Sequence, residues 1–143
     1  MVERCETLPP GSDVASDAYQ YAYVRLCGLF EQSLLWLGRS VMHRLAGGEA
    51  REFGLSFLDR SGRNPTKEYT RKFVARFNLE WAAELDGWFS IDDRGQVLSA
   101  LVGIRVGLAH GLNYGASASR FTGYYTVVYD LLDWLLERFE PVP

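Results

Sequence analysis

Apolar residues recur every three or four positions along most of the chain, which is the spacing of one face of an α-helix. The longest series starts at Tyr23 and continues through Cys27, Phe30, Leu34, Leu37, Val41 and Leu45. A cap at Ser12 or Asp13 begins this helix and Gly47-Gly48 ends it, so it is about thirty residues long. The stripe is widened by Tyr19, Leu26, Leu35 and Trp36, so we expect the helix to contact more than one neighbour.

The middle of the chain predicts shorter helices separated by breaking residues. A short helix fits residues 49–61, and the sequence "RSGRNP" closes it. Asn64 can then cap the next helix, with Pro65 at its first position. That helix runs to about Phe77, and residues 78–89 either extend it or form a separate helix after a kink. Periodicity alone leaves both possibilities open.

Two helices with clear ends complete the pattern. Asp92 or Asp93 can cap the first, and Gly111 is placed to end it in the left-handed conformation. Its core face is Val97, Leu101, Ile104 and Leu108. The second begins after Ser117 or Ser119, and its apolar side is Phe121, Tyr124, Val128, Leu131, Leu135 and Arg138 or Phe139. Because no segment alternates with period two, the sequence predicts an all-α bundle of four to five helices with a long first helix.

Length and composition fit one domain with one hydrophobic core. A chain of 143 residues can bury a sufficient core without disulfides or metal. Apolar residues make up 48% and aromatic residues 14%, which leaves little room for disorder beyond the ends and enough apolar surface to cover a subunit interface. We expect residues 1–12, with two prolines and a glycine, to be a flexible leader, and residues 13–140 to form a single helical domain.

The net charge of −3 argues against a protein that holds nucleic acid by bulk electrostatics, so any contact with nucleic acid must be local. Cys5 and Cys27 cannot form a disulfide framework, and Cys27 has the apolar neighbours of a small core residue. Charged residues interrupt each long apolar run, and the N-terminus lacks the pattern of a signal peptide. We therefore expect a soluble cytoplasmic protein with no membrane partner.

The stretch "SALVGIRVGLAHGLNYG" places Arg105 five residues before His110, near the end of an apolar helix. Five steps of an unbroken helix would separate the two side chains by about 140°. The glycine that follows His110 favours a break, which would let the histidine swing at the helix end. From spacing alone, the simpler interpretation is that Arg105 lies along the core edge and His110 caps free carbonyls. The alternative is that the two residues form a chemical pair.

The wider segment "LSALVGIRVGLAHGLNYGASASRFTGYYTVVYDLLDWL" resembles the HEPN superfamily, most closely its RiboL-PSP-HEPN branch. In that branch a helix with arginine, four to six residues and histidine reads like "L..LV..RN.IAHG.N.GIS", and the final helix begins "..YY..V". The matching residues are Leu98, Leu101, Val102, Arg105, Ala109, His110, Gly111, Asn113, Gly115, Ser117, Tyr124, Tyr125 and Val128. The first helix, with "LCGLFEQSLLWL" and its Glu31, also looks like the family's opening helix. The resemblance covers nearly the whole chain, and its specific part is about forty residues around the motif.

The resemblance implies a HEPN-like helical domain that forms a homodimer, with the two Arg-His motifs facing each other across a shared cleft. Many members are metal-independent endoribonucleases that act as toxins or in phage defence, alongside an antitoxin or sensor protein. Carried over, Arg105 would hold the scissile phosphate of an RNA substrate. His110 would exchange protons with the ribose 2′-hydroxyl or the leaving 5′-oxygen. No cofactor or metal is implied, and the sequence has no Cys/His/Asp cluster with ligand spacing.

One position departs from the family pattern. The residue after the arginine is most often asparagine in active members, and here it is Val106, which can neither donate nor accept a hydrogen bond. Two functions therefore stand side by side: an endoribonuclease that uses Arg105 and His110, and a catalytically weak or inactive HEPN domain that binds RNA or a partner protein. A purely structural helical dimer is a third class.

Positive charge is concentrated between Arg60 and Arg76. Within this stretch Lys67 and Arg71 lie one helical turn apart and could contact an RNA phosphate backbone. The alternative is a solvated helix face, which is the commoner origin of such a pattern. Since no other basic concentration exists in this acidic chain, a bound RNA would most plausibly pass here.

Overall fold

The part of the chain that the structure describes consists mainly of α-helices. The computed structural model describes residues 13–59 and 64–140, and within these ranges it contains no β-strand, which confirms the all-α class. The helices are α1 (Asp13–Leu45), α2 (Gly48–Asp59), α3 (Lys67–Phe77), α4 (Leu79–Ser90), α5 (Arg94–Ala109) and α6 (Ala118–Phe139). A single 3₁₀ turn, Ile91–Asp93, joins α4 to α5. The expected leader at residues 1–12 lies outside the described residues.

The break between α3 and α4 is made by Asn78. Its backbone is extended (φ −157°, ψ 122°), while its N–H still donates to the carbonyl of Val74. Its side-chain oxygen accepts hydrogen bonds from the N–H groups of Glu80 at 2.8 Å and Trp81 at 3.1 Å, so it also caps α4. The described α-helices therefore number six, one more than the predicted maximum, because the apolar series continues across this break.

The first and last helices, α1 and α6, lie side by side and run in the same direction. Near the start of both, Tyr19 and Tyr23 contact Phe121, with ring centroids 6.1 and 5.9 Å apart. Near the end of both, Arg44 forms an ion pair with Glu140 at 3.2 Å. None of the described helices is both long enough and apolar enough to span a membrane.

The α3–α4 hairpin closes the other end of the core. Phe139 at the end of α6 lies among three aromatic rings of the hairpin, at centroid distances of 5.9 Å to Phe73, 5.2 Å to Phe77 and 5.4 Å to Trp81. Phe73 and Phe139 are fully buried. This aromatic cluster fixes the hairpin against α6, and α5 packs between the hairpin, α1 and α6.

The predicted core face of α1 is buried from Tyr23 to Val41, and the prediction is wrong only for its last member, Leu45. Leu45 is 74% exposed, since it is the last residue of the helix and Val41 is the last buried member of the series. Trp36 is 56% exposed because it lies about 100° around the helix from buried Leu37, toward solvent. The stripe predicted from the apolar residues is thus wider than the face that α1 buries.

Candidate functional site

Arg105 lies on the side of α5 that faces α1, where two acceptors hold its guanidinium. Its Nη1 donates to Oε2 of Glu31 at 2.9 Å and to Oδ1 of Asn64 at 3.1 Å. The Arg105 side chain is 30% exposed and the Glu31 side chain 17%. Arg105 is therefore not a charge that simply extends into water along the core edge. Three separate parts of the chain meet at this group.

Asn64 was predicted to cap α3, and the structure shows a different arrangement. Thr66 is the N-cap residue, and its hydroxyl accepts a hydrogen bond from the N–H of Tyr69 at 3.1 Å. Pro65 precedes the cap instead of starting the helix. The N–H of Thr66 donates to the carbonyl of Asn64 at 2.8 Å, which forms a tight turn. Because Thr66 takes the cap, the amide oxygen of Asn64 is left to accept from Arg105.

The contacts of Arg105 leave one edge of its guanidinium open. Both N–H groups of Nη1 are directed to Glu31 and Asn64, whereas Nε and Nη2 have no partner among the residues that the structure describes. The N–H of Nε and one N–H of Nη2 are nearly parallel and form a planar two-donor edge. Such an edge matches two oxygens of a phosphate or a carboxylate. On this side Arg105 thus presents two donors that have no partner among the described residues.

His110 stays in helical register at the end of α5, so the expected swing does not occur. Its N–H donates to the carbonyls of Val106 at 3.2 Å and Gly107 at 3.0 Å. The residue therefore sits about 140° around the axis and about 7.5 Å along it from Arg105. Its side chain is exposed, and within residues 13–59 and 64–140 the imidazole has no hydrogen-bond or ion-pair partner. Arg105 therefore faces α1 while His110 faces solvent.

The last carbonyls of α5 are capped by the backbone and not by the histidine side chain. Gly111 has φ +77°, which confirms the predicted left-handed conformation. Its N–H donates to the carbonyl of Leu108 at 3.0 Å, and the N–H of Leu112 donates to the carbonyl of Gly107 at 2.9 Å. The imidazole of His110 is consequently not used in closing the helix.

Two contacts hold the turn that follows His110. Gln20 Nε2 on α1 donates to Oδ1 of Asn113 at 2.9 Å, and the ring of Tyr114 packs against Gly107. At the end of the turn, Ser117 caps α6 as predicted, with its hydroxyl accepting from the N–H of Arg120 at 3.4 Å. No sequence pattern predicts this contact of Gln20, which lies 93 residues from its partner.

Val106 occupies the surface between the two candidate residues. It lies about 100° from Arg105 in the direction of His110, and it is 36% exposed. A ligand that reached both groups on a single chain would pass over the isopropyl group of Val106. The side chain of Val106 has no group that could form a hydrogen bond with such a ligand.

Cys27 lies behind the Arg105 and Glu31 pair in the core, as its apolar neighbours predict. Its thiol donates to the carbonyl of Leu101 at 3.7 Å. Burial raises the pKa of this thiol to about 11; nearby Arg105 acts to lower it, and Glu31 to raise it. At neutral pH the group is therefore a protonated core thiol and not a nucleophile.

Lys67 and Arg71, the candidate RNA contacts, interact within the α3–α4 region. Arg71 Nε donates to both carboxylate oxygens of Asp86, at 2.8 and 2.7 Å. The Nζ of Lys67 lies 5.7 Å from the ring centroid of Phe89. Arg71 would therefore have to exchange its carboxylate partner for a phosphate, and Arg60 and Arg63 of the same basic stretch lie outside the described residues.

In comparisons with known proteins, no family model, curated protein or solved structure matches the chain. The described part of the chain contains no group of three or more His, Cys, Asp or Glu side chains that could hold a metal ion. The structure therefore shows an all-helical fold. At its candidate site, one edge of the Arg105 guanidinium has no partner among the described residues, and the imidazole of His110 is exposed.

Proposed function

We propose that the protein is a HEPN-type, metal-independent endoribonuclease that acts as a homodimer, with Arg105 and His110 of both subunits at a shared cleft. The observation that carries this proposal is the open Nε and Nη2 edge of Arg105, held in place by Glu31 at 2.9 Å. A fixed bidentate donor of this kind suits a phosphodiester. The sequence resemblance supplies the choice of RNA as the substrate.

The chemistry needs only these two residue types. The Arg105 edge would bind the two non-bridging oxygens of the scissile phosphate and stabilise the negative charge that develops there. A neutral His110 would take the proton of the ribose 2′-hydroxyl, and the 2′-oxygen would then form a bond to phosphorus. The bond from phosphorus to the 5′-oxygen breaks, and a protonated His110 from the other subunit would give that oxygen its proton. The products are a 2′,3′-cyclic phosphate and a 5′-hydroxyl.

The geometry of α5 supports a site shared between two subunits. Arg105 and His110 are about 140° apart around the helix, so one protomer directs them to different sides. A second protomer placed against the exposed surface of Val106 and His110 would bring its own histidine toward the first arginine. In the proposed cleft, Arg105 of one subunit therefore acts with His110 of the other, because these two residues point to different sides of a single chain.

The second candidate function is an inactive domain of the same type that binds RNA or a partner protein. It is favoured by exposed Val106, an apolar residue at the position where active members of the superfamily that the sequence resembles most often have asparagine. A cytoplasmic role in phage defence or as a toxin, with an antitoxin or sensor protein as partner, belongs to the proposal through the sequence resemblance alone.

Incubation of the purified protein with end-labelled RNA in EDTA tests the first function. We expect cleavage to 2′,3′-cyclic phosphate ends, and a loss of about 10²-fold or more in Arg105→Ala and in His110→Ala. His43→Ala is the matched control, because His43 is an exposed histidine in the last turn of another helix, α1.

Cleavage that survives in both variants would remove the proposed site. RNA binding without cleavage by any form would favour the second function. Sedimentation of a strict monomer at micromolar concentration would contradict the shared cleft.

A further inference from the structure

We propose that Glu31 and Asn64 are positioning residues, which fix the guanidinium of Arg105 so that its Nε and Nη2 edge is presented to a phosphate. The phosphate as ligand rests on the proposed function. The positioning itself rests on the two hydrogen bonds to Nη1, at 2.9 Å from Glu31 and 3.1 Å from Asn64. Neither residue would touch the reacting atoms, so their role is to orient Arg105.

Both acceptors converge on one nitrogen of the guanidinium. If a single acceptor held Nη1, the group could still turn about that hydrogen bond. Two acceptors from different parts of the chain, α1 and the turn before α3, occupy both N–H directions of Nη1 and so define the plane of the guanidinium. The remaining parallel pair of N–H groups then has a fixed direction. An arginine that is already ordered loses less conformational freedom when it binds a phosphate.

The surroundings of Glu31 keep its carboxylate in place. Its side chain is 17% exposed, and among the described residues Arg105 is its only ion-pair partner. Among the described residues it pairs with Arg105, and it also acts on the thiol of Cys27, which is buried and protonated at neutral pH. Turning away from Arg105 would leave a mostly buried carboxylate unpaired, which is costly. Glu31 on α1 therefore keeps its ion pair with Arg105.

The charge of Glu31 has an effect opposite to its hydrogen bond. A carboxylate beside Arg105 cancels much of the attraction that the guanidinium exerts on a phosphate. If Glu31 acts by position, glutamine at this site would keep an oxygen acceptor for Nη1 and remove the repulsion. The hydrogen bond and the charge can therefore be separated by comparing Glu31→Gln with Glu31→Ala.

Kinetics on RNA give the first test. We expect Glu31→Ala to lower kcat by about 10²-fold, since a small misplacement of a catalytic group costs that much, with KM nearly unchanged. Glu31→Gln should keep kcat within about threefold of the native value and lower KM, as binding becomes tighter. Glu84→Ala is the matched control, because it removes the carboxylate partner of Arg138 and leaves Arg105, Lys67 and Arg71 untouched. A Glu31→Gln variant as slow as Glu31→Ala would overturn the positioning role.

NMR of the arginine side chains gives a second test that needs no ribonuclease activity. In the native protein the Nη groups of Arg105 should give separate signals because rotation about the Cζ–N bonds is hindered, and added inorganic phosphate should shift the Nε–Hε signal. The separate signals should merge in Glu31→Ala and in Asn64→Ala, and persist in Glu31→Gln and Glu84→Ala.

Asn64 is exposed, so its variant is expected to fold even where Glu31→Ala does not. Separate Nη signals that survive in Asn64→Ala and in every folded Glu31 variant would overturn the inference. If the native protein cleaves no RNA while these NMR changes occur, the proposed function fails and the positioning role stands.

Discussion

Tyr114 packs directly on Gly107, at the point where α5 ends and its chain turns toward α6. A Cβ atom added at Gly107 would come within 2.6 Å of Cζ of the Tyr114 ring. Gly107 also accepts hydrogen bonds from the N–H groups of His110 and Leu112 through its carbonyl. Because Gly107 has no side chain, the ring of Tyr114 can lie over the end of α5, where His110 is located.

Gly107→Ala should therefore destabilise the protein by about 1 to 3 kcal/mol, because the Tyr114 ring must leave its place on α5. Gly103→Ala in the same helix is the control: no atom outside its own helix turn lies near the added Cβ, and the substitution should stabilise by about 0.5 to 1 kcal/mol. Urea denaturation measures both. In a Tyr114→Ala background the penalty at Gly107 should vanish, and its persistence there would refute the proposed contact.

Gly111→Ala tests the left-handed end of α5. With φ at +77°, any residue other than glycine is strained, and we expect a loss of about 1 to 2 kcal/mol. Gly115→Ala in the same turn should stay within about 0.5 kcal/mol of the native protein, since the added Cβ would meet no neighbour and the backbone there is not left-handed. Equal unfolding midpoints for the two variants would contradict the left-handed conformation of Gly111 at the end of α5.

The buried thiol of Cys27 predicts a loss of stability at alkaline pH. Burial raises its pKa from an ordinary value of 9.0 to about 11. Because the folded state holds the proton more tightly, the stabilisation is complete below pH 9 and is lost as the pH rises toward 11. The loss is on the order of 2 to 3 kcal/mol.

Unfolding free energies of native protein and Cys27→Ala, measured from pH 8 to 11 in a Cys5→Ser background, check this prediction. The slope with pH should be shallower in Cys27→Ala, whatever its absolute stability. A residual slope is expected because burial also raises the pKa of Tyr23. Identical slopes would show that the Cys27 thiol titrates normally.

Val106→Asn should increase RNA cleavage. An asparagine at this exposed position can donate and accept hydrogen bonds between Arg105 and His110, and one such bond to the substrate corresponds to about a tenfold change in rate. Ala100→Asn, also exposed on α5, controls for a general effect of adding an amide. If both variants cleave RNA at the native rate, Val106 does not limit the activity.

Local patterns predicted the helices and some of their ends, and they did so where the physical cause is itself local. Helical periodicity placed α1, α5 and α6, and the caps at Ser117 and Gly111 follow from the preferences of serine and glycine for those conformations. Asn64 shows the limit of this reasoning. Local sequence preferences predicted that Asn64 caps α3. Its side chain instead accepts a hydrogen bond from Arg105, 41 residues away.

The environment of Arg105 could not be predicted from periodicity. The sequence resemblance drew attention to Arg105, His110 and Glu31, but the bond between Arg105 and Glu31 joins residues 74 positions apart. Contacts at such separations depend on which helices become neighbours, and an apolar stripe does not specify its partner. The orientation of the guanidinium edge became visible only when α1, α5 and the turn before α3 were placed together.

The parallel pairing of α1 and α6 shapes how this protein is made. On the ribosome α1 emerges long before α6, and a parallel partner cannot reach it until the connecting helices have been synthesised. During that interval Tyr19 and Tyr23 of α1 lack Phe121, the ring of α6 that they contact in the folded protein. Slow translation or premature release should therefore favour aggregation or chaperone capture of the nascent chain, and rapid completion of the polypeptide should favour the native bundle.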